Sequence, residues 1–294
     1  MKKFLVFSVI GFFLFSSESL FVQAAPEETL PIGDLIGLRY PVVLAHGIAS
    51  SDRGGHTAAW GRIPRVLREQ GVDVYFGQTD AWGDIASNAG LLKTTVDSIL
   101  EATGSERVNI IAHSKGGLDA RYFIWRYDYG DRVASLVTVS TPHGGSEIAD
   151  FLYRTRLFQS ESARRRLSDI SGMFMDVNPD IFSVNQNLTT ANMTEFNATV
   201  TPDERVFYQA FYSVMNDAAD DTLYALSFTF IKNLSGENDG LVNAGSAAWG
   251  DNPVRLPGSI SHRQMTDQGT EGFPDTKITD IYLDIIRGLA RMGF

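Results

Sequence analysis

Residues 108–117 read Val-Asn-Ile-Ile-Ala-His-Ser-Lys-Gly-Gly, and this stretch constrains the chain more than any other. A β-branched apolar run (Val108, Ile110, Ile111) ends at the small Ala112. Gly116 and Gly117 follow, and Leu118 to Trp125 reads as a helix. The pattern predicts a strand, a sharp turn and a helix, with Ser114 at the apex. Such a turn holds its serine in a sparsely populated backbone conformation and needs small residues two before and two after it. The usual spelling is Gly-x-Ser-x-Gly; here Ala112 replaces the first glycine. A helix beginning at the serine also directs free N–H groups toward developing negative charge. An ordinary strand-to-helix turn with a capping serine is the alternative. The strand before it and the helix after it favour a nucleophile.

The surrounding chain alternates strands and helices. Tyr40 to Ala45 reads as a strand, Ile63 to Gln70 as a short helix with Pro64 in its first turn, and Val72 to Phe76 as a strand. Ile85, Ala89, Leu92, Val96, Ile99 and Leu100 recur at helical spacing, with Gly104 as the stop, and Val133 to Val139 reads as another strand. This order predicts an α/β fold: a mostly parallel sheet with helices on both faces. The regularity breaks from about Glu147 to Tyr212, with helical pieces at Ile148 to Leu157 and Glu161 to Leu167 and a polar stretch from Asn185 to Thr201. This span is expected to be an insertion over the sheet, not a separate domain. Leu223 to Ile231 reads as a returning strand and Ile278 to Met292 as a closing helix.

Lys2 and Lys3, the apolar run Phe4 to Phe15 and the small-residue site Val22-Gln23-Ala24 read as a signal peptide, residues 1–24, leaving 25–294 as one domain. The apolar run falls short of the ~20 residues of a membrane span, and no second one follows. The expected product is exported, secreted or periplasmic, by the secretion machinery, with no integral membrane segment in the mature chain. The absence of cysteine excludes disulfides, thiolate metal sites and a cysteine nucleophile. A formal charge of −10 argues against a nucleic-acid partner.

A serine alcohol needs a base, and the base needs an orienting carboxylate. The chain has five histidines: His46, His56, His113, His143 and His262. His113 adjoins the serine on the wrong side of a tight turn, and His46 reads as a turn-bracing residue. His262, in a late loop before the last helix, is the expected base, because a chain order of nucleophile, acid, histidine requires one there. Asp239, in Ser235-Gly236-Glu237-Asn238-Asp239-Gly240, is the expected acid, although Asn-Asp-Gly is also ordinary turn chemistry. Glu237 is less well placed, and Asp217, Asp220 and Asp221 are expected to form a solvated loop. The backbone N–H groups of Ile48 and Lys115 are the expected oxyanion donors. The Lys115 side chain need not take part.

Four segments resemble one family, the bacterial triacylglycerol lipases of the α/β-hydrolase fold. They are Pro41 to Ile48 (PVVLAHGI), Ile111 to Gly117 (IAHSKGG), Val139 to Ala149 (VSTPHGGSEIA) and Asn238 to Gly250 (NDGLVNAGSAAWG). The similarity runs from about 40 to 157 and from 222 to 265, nearest to the Pseudomonas–Burkholderia type and to Gram-positive lipases with the same Ser-Lys-Gly-Gly turn. The resemblance implies Ser114 as nucleophile, Asp239 as acid, His262 as base and Ile48 and Lys115 as oxyanion donors. It gives His143 no catalytic role. Two departures stand out. The disulfide of many relatives is impossible here. The carboxylate with which some bind calcium, two residues after the catalytic histidine, is replaced by Gln264.

The implied activity is that of an exported carboxylic-ester hydrolase, a triacylglycerol lipase acting on lipid or ester substrate at an oil–water interface. A short-chain esterase or other acyl hydrolase is the alternative, and a non-catalytic binding protein on the same scaffold a remoter one. No cofactor is required for the chemistry. The resemblance leaves a structural calcium as a question, with no tight site expected: the upstream acids Asp217, Asp220 and Asp221 are kept, but the downstream Gln264 is neutral and Asp267 could substitute only in a differently shaped loop. The insertion is expected to act as a lid, presenting Phe151, Leu152, Met173, Phe174 and Met175 to the acyl chain, against the alternative of a closed, static core. Acyl length, positional preference and the need for a dedicated chaperone are not written in these motifs.

Overall fold

The computed structural model describes residues 35–52, 58–155, 160, 176–268 and 277–294. The signal-peptide segment, His56, the helical piece at Glu161 to Leu167 and Met173 to Met175 lie outside the described residues.

The strands are β1 (Val42–Ala45), β2 (Val74–Phe76), β3 (Val108–His113), β4 (Val133–Val139), β5 (Phe207–Tyr212) and β6 (Val254–Arg255). They form one sheet in the order β2-β1-β3-β4-β5-β6, every pair parallel. The helices are α1 (Ile63–Glu69), α2 (Ile85–Thr103), α3 (Lys115–Tyr127), α4 (Glu147–Tyr153), α5 (Ile181–Asn187), α6 (Thr190–Thr199), α7 (Ala225–Ser235), α8 (Ala244–Ala247) and α9 (Ile278–Arg291). The β1, β3 and β4 strands are buried along their whole length, as expected of a sheet covered on both faces. Trp60 and the apolar residues of α1 and α9 cover one face, and Leu92, Val96 and Ile99 of α2 with Phe123 and Ile124 of α3 cover the other.

Register places the site. Ala45 pairs with Ala112, and His113 with Val139, so β1, β3 and β4 end at one edge. The turns beginning at His46, Ser114 and Ser140 therefore emerge side by side at the carboxyl ends of parallel strands, where ligands of such sheets bind.

Two expectations are corrected. The stretch from Leu223 to Ile231 is not a strand: Ala225–Ser235 is helix α7. Leu226, Phe228 and Phe230 alternate with Ser227 and Thr229 and so imitate period two. The residues that pack inward are Tyr224, Phe228 and Ile231, at helical spacing, while Leu223 and Leu226 face solvent. The strand after the insertion is instead β5, Phe207–Tyr212, which pairs with β4 through Ser135 to Val139. The irregular span therefore ends before Phe207, not at Tyr212, because the aromatic run Phe-Tyr-Gln-Ala-Phe-Tyr supplies the fifth strand.

Candidate active site

Ser114 stands between the last residue of β3 and the first of α3 with φ 54° and ψ −132°. This is a strained conformation for a residue with a Cβ. The turn holds it because Ser114 N–H donates to Val139 O (2.9 Å) and Gly117 N–H to Ser114 O (3.1 Å). Two glycines are dictated by close approach. A Cβ on Gly116 would lie 2.4 Å from Ala45 O, and one on Gly47 would lie 2.6 Å from the Ser114 Cβ. The turn after β1 thus closes directly on the serine, with Ile48 following it. Lys115 opens α3, so its N–H lies among the first-turn donors that have no intrahelical acceptor. Its side chain turns away: Nζ donates to both Asp119 oxygens (2.7 and 2.8 Å), and Asn88 Nδ2 donates to Asp119 Oδ2 (2.9 Å). Burial raises the Asp119 pKa against the pull of Lys115.

Asp239 and His262 meet across 23 residues of chain. His262 Nδ1 lies 2.8 Å from Asp239 Oδ2, and both side chains are buried. Asp239 Oδ1 accepts from the N–H groups of Leu241 (3.0 Å) and Val242 (2.8 Å), so both carboxylate oxygens have partners. The backbone repeats the pairing, His262 N–H donating to Asp239 O (2.8 Å). The acid loop is tied in turn to the chain leaving β5, through Met215 N–H to Asn238 O (2.8 Å).

Ser114 and His262 line one cavity together with Ile48, Trp82, Ile148, Ala149, Leu152, Ile181, Val184, Leu188 and Leu241. Its free volume is about 60 Å³, room for about two waters and well below the ~300–1,000 Å³ of typical ligand pockets. Much of the apolar wall comes from α4 and α5, both within the irregular span.

His46 and His143 are braces. The His46 ring lies between Gly47 O (2.8 Å) and Thr79 O (3.2 Å). His143 stacks on Trp249 (4.5 Å between ring centres) and packs beside Arg121. The arginine can only donate, so His143 Nδ1 accepts (3.1 Å) and the ring proton sits on Nε2, facing Thr138 Oγ1 (3.1 Å). Burial and then the neighbouring Arg121 hold the His143 pKa well below its ordinary value. Arg121 also donates to Asn197 Oδ1 and Val200 O and lies over the Trp249 ring, and burial draws its pKa down to about 10. This knot joins α3 to the Thr141–Ser146 loop and to α6.

The sequence reading missed three participants. His113 Nε2 donates to His262 O (3.0 Å), with the two rings 4.6 Å apart. Burial and the neighbouring His262 keep the His113 pKa far below the usual value. Its side chain does not reach the cavity, but it braces the loop that carries His262. Asp221, read as part of a solvated loop, is instead buried, because its carboxylate pairs with Arg263, the residue after His262 (2.7 Å). The only signal in the sequence is an Arg directly after the expected base, which needs a carboxylate the sequence does not identify. Asp217 does lie exposed, and Asp220 accepts from the backbone of Asn216 and Asp217 and from Ser259 Oγ.

Comparison with known proteins places the fold and the family. The family described as palmitoyl protein thioesterase matches residues 41–234. A protein named Triacylglycerol lipase from Pseudarthrobacter phenanthrenivorans is 38% identical over 118 residues, 39% of this chain and 36% of that protein. The protein named Triacylglycerol lipase 2 from Saccharomyces cerevisiae is 29% identical over 258 residues, 80% of this chain and 74% of that protein. The matched stretch is therefore about a third of the Pseudarthrobacter relative's length. Among solved structures, the lipase of Staphylococcus hyicus superposes with a TM-score of 0.67 at 16% identity, covering 90% of this chain and 99% of that one. The parallel sheet, the helices on both faces and such neighbours establish the α/β-hydrolase fold. Among the described residues no helix is long and apolar enough to cross a membrane.

Proposed function

The chain belongs to the palmitoyl protein thioesterase family, and on that premise we propose that it is a serine hydrolase of carboxylic esters, a lipase that cleaves long-chain acyl esters through an acyl-enzyme. The observation that carries this reading is the 2.8 Å pairing of Asp239 with His262 beside a strained Ser114, with Ser114 and His262 facing one apolar cavity.

In this reading Ser114 Oγ attacks the ester carbonyl carbon while His262 Nε2 takes its proton. Asp239 holds the imidazole through Nδ1 and stabilises the imidazolium that forms. The carbonyl oxygen, now negative, is held by the N–H groups of Ile48 and Lys115. Collapse breaks the ester C–O bond, and His262 returns the proton to the departing alcohol. Water then attacks the Ser114 ester by the same route in reverse and releases the fatty acid. No metal or cofactor enters any step. The protein acts after export, on lipid at an interface.

The cavity is too small for a long acyl chain, so α4 and α5 must part from Trp82 and Leu241 to admit one. In this reading the lid role falls to α4 and α5, with Leu152 facing the cavity. A thioester is the second reading, supported by the family match; the same residues would expel a thiol in place of an alcohol.

The test is hydrolysis by purified protein of p-nitrophenyl esters of increasing chain length beside the matching thioesters, with Ser114→Ala as the blank. A lipase gives activity that rises once a long-chain ester exceeds its solubility, and none with Ser114→Ala. A hyperbolic response confined to short chains makes it an esterase. Preference for thioesters selects the second reading, and undiminished turnover by Ser114→Ala rejects the mechanism.

A further inference from the structure

The two residues that flank His262 in the chain are both bound to one buried carboxylate. Asp221 Oδ2 accepts from Ser261 Oγ (2.7 Å) and from Arg263 Nε (2.7 Å). Asp221 Oδ1 accepts from Arg263 Nη2 (3.1 Å) and from Leu223 N–H (3.1 Å). The carboxylate is fully buried while the Arg263 side chain remains 34% exposed. Asp221 lies in the segment between β5 and α7, so this contact staples the loop carrying His262 to the segment that leads into α7.

The geometry suits a cation with directional donors. A guanidinium presents two N–H bonds in one plane and meets a carboxylate as a fork, which fixes orientation as well as distance. A point-charge ammonium would not set the angle of the neighbouring residue. Directly between the two anchored residues sits His262, whose N–H, carbonyl and ring are separately held by Asp239 and His113. The Asp221 staple adds a hold on both residues that flank His262 in the chain.

The resemblance to lipases implied a calcium ion at this loop, and the donor set can be tested against it. Calcium takes about six to eight oxygens at about 2.3–2.6 Å. Both Asp221 oxygens already serve two donors each. Gln264 Oε1 accepts from Ser261 N–H at 2.6 Å, and Asp267 is taken by Arg62 through its N–H, Nε and Nη2 (2.7, 2.8 and 2.6 Å). Among the described residues no group of three or more His, Asp or Glu is placed to hold a metal. The residues do not fit the ion.

We propose that the Arg263 guanidinium takes the place of a divalent cation, and that Asp221 and Arg263 are positioning residues that hold His262 in register with Ser114 without a metal. The proposal rests on the reading of His262 as the base.

The test uses the full-length purified protein and a soluble short-chain ester, with kcat expressed per site titrated by a fluorophosphonate. Misplacement of a catalytic group by about 1 Å costs on the order of 10²-fold, so Asp221→Asn and Arg263→Gln should each lower kcat by about 10–100-fold. KM should stay within ~2-fold, since substrate binding is untouched. The double variant should be little worse than either single, because one contact is lost. Arg263→Lys, which keeps the charge but not the fork, should recover part of the loss and supplies a folded comparison should Asp221→Asn fail to fold. Arg205→Gln, which breaks an exposed ion cluster with Asp128, Asp131 and Asp203 elsewhere, should leave kcat unchanged. EDTA should move neither the wild-type Tm nor kcat. The proposal is overturned if Asp221→Asn keeps wild-type kcat per titrated site, if the two single effects simply multiply, or if EDTA lowers the Tm and calcium restores it. Failure of the underlying reading looks different: Ser114→Ala would then retain activity and labelling.

Discussion

The cavity has two unlike walls. One carries Ser114 and His262 and is held by directional bonds: the Asp239 pair, the His113 brace, the Arg263–Asp221 fork and the close approach of Gly47. The other is built from Trp82, Ile148, Leu152, Ile181 and Leu241, whose side chains pack by apolar contact, with few hydrogen bonds behind them, such as Asp180 N–H to Trp82 O (2.6 Å) and Asn185 Nδ2 to Ala149 O (3.1 Å). Directional bonds have one good geometry and resist sliding. Apolar contact depends on area and tolerates rearrangement at modest cost. In the proposed mechanism this division keeps Ser114 and His262 in register on one wall and leaves the opening for a long acyl chain to the other.

Mutations should separate the walls. The largest effect is expected from Asp239→Asn, which keeps the shape and spoils the histidine tautomer. Its kcat on a soluble ester should fall on the order of 10⁴-fold with the circular dichroism spectrum unchanged. Next comes Gly47→Ala, whose new Cβ would stand 2.6 Å from the Ser114 Cβ and displace the donor turn. Loss of an oxyanion donor costs ~10²–10³-fold in kcat.

On the apolar wall the ranking should invert. Leu152→Ala should lower stability in urea by about 2–5 kcal/mol. The same variant should leave short-ester kcat within ~3-fold, because no reacting group is moved. Its ratio of long-chain to short-chain activity should change more than either rate alone. Collapse of short-ester turnover in this variant would erase the distinction between the walls.

The smallest effect concerns acid. His113 and His143 have folded-state pKa values depressed below the unfolded value, chiefly by burial. Above about pH 6.5 neither state binds the proton and stability is full. Below it the unfolded chain takes up protons that the folded one refuses, so stability falls by up to ~1.4 kcal/mol per pH unit for each histidine until the folded pKa is reached. Denaturant titrations between pH 7 and 5 should show this slope, and His143→Gln should reduce it to the share left by His113. A slope unchanged in that variant would remove His143 from the account.

The sequence reveals only part of the directional wall, the part encoded by local rules. The serine turn needs small residues at Ala112 and Gly116, the β1 turn needs Gly47, and the chain order points to Asp239 and His262. The β4 strand, seven consecutive buried residues, was legible to its ends. Where the decisive partner lies far along the chain, reading failed. The Asp221 and Asp217 carboxylates look alike in sequence, and only Arg263, 42 residues on, buries one of them. Helix α7 was misread because Ser227 and Thr229 break its apolar face into apparent alternation. Strand β5 was missed because its aromatic run follows the polar segment that ends the insertion and takes its identity from pairing with β4.

The most direct test of the central claim is covalent labelling with a fluorophosphonate followed by peptide mapping. The account predicts a single adduct on Ser114, formed much more slowly in Asp239→Asn and absent in Ser114→Ala. An adduct on any other residue, or undiminished labelling of Ser114→Ala, would contradict it.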